Sequence, residues 1–89
     1  MHSVTTEKFR KAFNKLPEKI QERARATYQL WKTNPQHPTL QFKQVHQSKP
    51  IYSVRIGLSY RALGVKEEET IIWFWIGSHE DYNNLTKRI

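Results

Sequence analysis

The chain contains no cysteine, which removes any disulfide framework, thiolate nucleophile or zinc–thiolate site from its chemistry. That composition fits a reducing compartment, and the cytoplasm is the expected location. Long hydrophobic runs are also missing. The longest, Ile71 to Ile76, falls far short of the ~20 apolar residues of a membrane helix, so no membrane partner is expected. Met1-His2-Ser3-Val4 lacks the apolar stretch of an export signal. Neither a repeat nor a low-complexity segment appears, and 89 residues suit one domain, 1–89, with one modest core. The most informative absence is of negative charge, since no Asp or Glu occurs between Glu22 and Glu67.

That acid-free interval holds Arg23, Arg25, Lys32, Lys43, Lys49, Arg55, Arg61 and Lys66. Over the whole chain 15 Lys and Arg stand against 8 Asp and Glu, a net charge of +7. The middle of the protein therefore lacks internal counter-charge, and an anionic partner follows. Lysines on helices, such as Lys11 and Lys32, are sufficiently explained as a solvated face. Arginines inside strands are not.

Phe9, Ala12, Phe13 and Leu16 recur at helical spacing within Thr5–Leu16, with Thr5 or Thr6 able to cap the start. Pro17 ends that segment and begins another, Pro17–Lys32, whose apolar stripe is Ile20, Ala24, Tyr28 and Trp31. A hairpin of two helices with facing apolar sides is predicted. After the break at Thr33-Asn34-Pro35-Gln36-His37-Pro38 the period becomes extended. Leu40–His46 reads as an edge strand. In Ile51–Ile56, Tyr52, Val54 and Ile56 share one face, while Ser53 and Arg55 share the other. Gly57-Leu58-Ser59 makes a turn into Tyr60–Val65, and Lys66 to Glu69 makes another into Thr70–Ile76, apolar on both faces and hence central. Arg61 has the parity of Leu63 and Val65, and only strand register decides which face that is. Ser78 can cap a terminal helix, Glu80–Ile89. The predicted fold is α+β: two N-terminal helices on a four-stranded antiparallel sheet, with a short C-terminal helix.

The sheet delivers two guanidiniums, Arg55 and Arg61, with His79 directly after its last strand. Those groups can hold an RNA phosphate and move protons around it. Lys43, His46 and Lys49 are candidates to extend the basic wall. Tyr82, one helical turn beyond His79, is placed either to contact RNA or to pack under the last helix. Trp73, Phe74 and Trp75 read as core rather than as base-stacking platforms. His2, His37, His46 and His79 lack the spacing of a metal site, so neither metal nor cofactor is expected.

Several stretches carry a family resemblance: L-P-E-K-I-Q-E-R-A-R from Leu16, F-K-Q-V-H from Phe42, I-Y-S-V-R-I-G-L-S-Y-R-A-L-G-V from Ile51 and W-I-G-S-H-E-D-Y from Trp75. In order and spacing the chain resembles the RelE/ParE toxins of bacterial type II toxin–antitoxin systems. The resemblance implies an antitoxin partner with an acidic toxin-binding tail. It also implies either ribosome-dependent cleavage of mRNA or poisoning of DNA gyrase. In the nuclease branch, basic residues on the central strands bind the scissile phosphate and a histidine after the last strand acts as acid or base, slots matched here by Arg55, Arg61 and His79. Cleavage would be metal-independent attack of a 2′-OH on the adjacent phosphate. A non-catalytic nucleic-acid-binding module is the remaining alternative. Two departures from the pattern stand out. The strand that many members place before the first helix is predicted to be short or missing, and Ser53 sits where some branches carry a lysine.

Overall fold

The computed structural model describes residues 1–88, and Ile89, the last position of the predicted terminal helix, lies outside them. Along the chain run β1 (His2–Thr5), α1 (Glu7–Asn14), α2 (Glu18–Thr33), a 3₁₀ turn (Pro38–Leu40), β2 (Lys43–Gln44), β3 (Ile51–Ile56), β4 (Tyr60–Glu67), β5 (Thr70–Ser78) and α3 (His79–Thr86). One mixed sheet has the order β1-β5-β4-β3-β2. The α+β class is as predicted, but the four-stranded antiparallel sheet is corrected to five strands. The addition is β1, which pairs in parallel with β5 from His2↔Thr70 to Thr5↔Trp73. His2 N donates to Glu69 O at 2.8 Å and Thr6 N to Trp73 O at 3.0 Å, stitching both ends of the pair. Its partner lies some seventy positions away, and three of its four residues are exposed, so little local periodicity announces it.

Helix α1 starts where the sequence places it. Thr6 is the N-cap, its hydroxyl accepting from Phe9 N at 3.1 Å. The predicted stripe of Phe9, Ala12, Phe13 and Leu16 packs against the core. Each helix meets the sheet rather than mainly its neighbour, α1 against β5 and α2 against β3. An apolar cleft opens between them, bordered by Phe9, Phe13, Tyr28 and Trp31. Tyr28 accordingly stands at its rim, 37% exposed, rather than in the core. Trp31 is the anchor of α2, 2% exposed and edge-on to Trp73 with ring centroids 5.4 Å apart.

The predicted edge strand Leu40–His46 shrinks to Lys43–Gln44. Pro38 opens a 3₁₀ turn, His37 Nδ1 accepts from Thr39 N at 3.3 Å, and Gln41 takes a left-handed backbone (φ 45°). This bend buries Leu40 and uses the segment as a corner before pairing starts at Lys43↔Ser53.

Register between β4 and β5 shifts at Leu63/Gly64, where Leu63 pairs Trp75 and Gly64 pairs Trp73. Phe74 is the extra residue. A bulge of one residue reverses the alternation, so Ile71, Trp73 and Ile76 all belong to the helix-side core despite their mixed parity. Gly64 makes this possible, because a Cβ there would lie 2.6 Å from Ile71 and 2.8 Å from Trp73 side-chain atoms.

Candidate phosphate-binding face

Ala62 and Val54 pair with each other and sit in the helix-side core. The alternate residues, Ser53, Arg55, Arg61 and Leu63, therefore share the opposite face. Register settles the direction of Arg61: it stands directly across from Arg55. Lys43, paired with Ser53, projects on this face too. Two arginines in opposed positions repel each other unless an anion lies near. Among the described residues the only ion pair is Lys11 with Glu7, far away on α1, so neither strand arginine has a carboxylate partner.

Each arginine is held by a neutral group instead. Arg55 Nε donates to Gly57 O at 2.8 Å, tying it to the β3–β4 turn. Arg61 Nη2 donates to Gln41 Oε1 at 2.7 Å, and its guanidinium carbon lies 5.1 Å from the centre of the Tyr82 ring. Arg61 Nη1 is sealed from solvent without an acceptor among the described residues.

The site's third member is carried by α3. Ser78 caps that helix as predicted, accepting from Asp81 N at 3.1 Å. His79 is its first residue rather than a linker before it, with its backbone N–H bonded to Ser59 O at 2.7 Å. Its ring is exposed and lies 6.0 Å from that of Tyr82. Glu80 and Asp81 occupy the first turn, where the helix dipole favours acids. Neither is hydrogen-bonded to the imidazole or to Arg61 among the described residues.

Tyr82 is thus the hub. Only 9% exposed, it packs between Arg61, His79 and Trp75 and reaches Ser53 Oγ through a long 3.4 Å hydroxyl contact. Ser53 is fully buried. Of the sequence candidates, Arg55, Arg61, His79 and Tyr82 come together, with Lys43 on the same face. His46 and Lys49 stand apart in the β2–β3 loop, near Ile51 and about 13 Å along the strand from Arg55. There His46 Nδ1 accepts from Ser48 N (3.2 Å) and Lys49 N (3.0 Å), folding the loop. Sequence reasoning missed Gln41, whose part depends on a left-handed corner that no local pattern marks.

Chemically, the face offers fixed cations without internal neutralisation beside an exposed imidazole. Among curated proteins none matches the chain. Solved structures do. A chain of the RelB–RelE antitoxin–toxin complex from Methanococcus jannaschii shares 17% identity at TM-score 0.73, with 92% of this chain and 96% of that one covered. The isolated RelE toxin of E. coli shares 17% identity at TM-score 0.67, covering 98% and 96%. The YoeB/ParE toxin from Agrobacterium tumefaciens shares 13% at TM-score 0.68, covering 89% and 99%. At such identities the likeness is one of fold. Sequence itself supplies the family: residues 18–84 match the ParE-like toxin domain, a span that includes every residue of the Arg55–Arg61–His79–Tyr82 cluster. The chain belongs to the ParE-like toxin domain family.

Proposed function

We propose that this protein is the toxin of a type II toxin–antitoxin pair and acts in the cytoplasm as a ribosome-dependent mRNA endoribonuclease. The observation that carries the reading is the register pair Arg55↔Arg61, two strand arginines without a carboxylate, flanked by the exposed His79. In this reading Arg61, with Arg55 beside it, clamps the scissile phosphate and stabilises the charge that grows on it. The 2′-OH attacks that phosphorus while the 5′-oxygen leaves. His79 takes the proton from the nucleophile or returns one to the leaving oxygen, a role worth about 10²–10⁴-fold. Lys43 extends the cationic track, and the ribosome supplies the mRNA in a fixed conformation.

A cognate antitoxin with an acidic segment fits the +7 charge and would cover the same face. The structural likeness to toxin chains solved in RelB–RelE antitoxin–toxin complexes supports that partnership.

The match to a ParE-like toxin domain favours a second reading, the gyrase poisoning that the RelE/ParE resemblance implies, in which the basic face is a contact surface and His79 is dispensable. Two reactions run with the same protein separate the readings. A reconstituted translation reaction should stop on addition of the toxin, while gyrase-mediated plasmid cleavage should stay at background. Unimpaired translation together with linearised plasmid would reverse the assignment.

A further inference from the structure

Gln41 lies inside the acid-free interval and supplies the acceptor for Arg61, at 2.7 Å. We propose that Gln41 is the positioning residue of the phosphate site, fixing the Arg61 guanidinium without spending its charge. This rests on the reading of the Arg55/Arg61 face as a phosphate site.

Three observations carry it. First, the corner keeps a long side chain where its backbone disfavours one. The Gln41 backbone is left-handed (φ 45°, ψ 42°), a conformation that asks for Gly or Asn, yet a long amide is kept there. Second, Gln41 and the Tyr82 ring both contact the guanidinium, so an arginine that would otherwise sweep many rotamers presents a set orientation. Third, the acceptor is neutral. A glutamate would pair with Arg61, cancel its charge and repel an incoming phosphate. An amide whose oxygen faces Arg61 turns its NH₂ the other way, and among the described residues that group has no acceptor.

The test is titration of the full chain with inorganic phosphate, followed by the Nε–H signal of Arg61 in NMR spectra, for wild type, Gln41→Gly, Gln41→Met, Gln41→Glu and Arg61→Ala. Gln41→Gly relieves the left-handed backbone, so urea unfolding should show equal or higher stability. Its phosphate affinity should nevertheless fall about tenfold, the size expected on losing a hydrogen bond to a charged group that orders the binding side chain. Gln41→Met, which keeps the length but not the amide, should fall as far, and Gln41→Glu should bind no phosphate. Wild-type affinity in Gln41→Gly and Gln41→Met, with binding abolished in Arg61→Ala, overturns the proposal. Binding unaffected by Arg61→Ala shows that the face is no phosphate site, and the proposal falls with it. The titration is independent of cleavage, so a wild type that leaves mRNA intact sinks the nuclease reading while Gln41 is still judged by phosphate.

Discussion

Arg55 and Arg61 face each other across β3 and β4 with no carboxylate to separate their charges. Like charges in that position destabilise a sheet, and an anion bound between them repays the cost. Sulfate added at low ionic strength should therefore raise the melting temperature of the wild type, with about 2.7 kcal/mol of stabilisation at a hundred times its Kd. In Arg61→Ala that rise should shrink to the small, non-specific effect of the salt, as read by thermal unfolding. Gly57 is a second residue under local constraint. Its backbone is left-handed (φ 61°), and an added Cβ would lie 2.6 Å from Arg23 Cδ. Gly57→Ala should cost about 1–2 kcal/mol in urea unfolding. Sequence showed which residue types could hold a phosphate, since arginines in strands with no nearby acid are legible from the chain alone. It did not show that Gln41 holds Arg61, because that contact depends on how a corner twenty residues upstream is bent.

Among the elements, α1 and the strands β3 to β5 were readable because each carries its own periodicity and stop signals. Strand β1 and the bounds of β2 were not. One is four residues long and exists through pairing with a distant strand, while β2 survives only where the Pro38 turn lets the chain straighten. The bulge at Phe74 was hidden for a related reason: Thr70–Ile76 is apolar throughout, so no alternation marked the residue at which the faces exchange. For β1 the hydrogen bonds make a sharp expectation. His2 and Thr6 donate toward β5, so by parity the Val4 N–H does as well, whereas Ser3 and Thr5 point their N–H groups outward. Val4→Pro should thus destabilise the protein by about 3 kcal/mol, and Ser3→Pro by clearly less, measured by the same denaturant curves. Equal losses would mean that β1 pairs in another register or not at all.

Taken whole, the molecule divides its two surfaces. Helices α1 and α2 cover one face of the sheet and bury the aromatic core of Trp31, Phe42 and Trp73. The other face carries α3, Lys43 and the uncompensated arginines, the groups that the phosphate reading uses. Affinity for RNA should drop steeply with salt, by roughly 0.7 log units per single-strand phosphate contact for each log unit of salt, and Arg61→Ala should lower that slope by about one contact. The most direct measurement is primer extension on mRNA bound to programmed ribosomes, comparing wild type, Arg61→Ala and His79→Ala, with ribosome-free RNA as the control. Cuts that appear with ribosomes only and fall by about 10²-fold or more in both variants are the expected result. Intact mRNA with the wild type, or cleavage undiminished in Arg61→Ala, would contradict it.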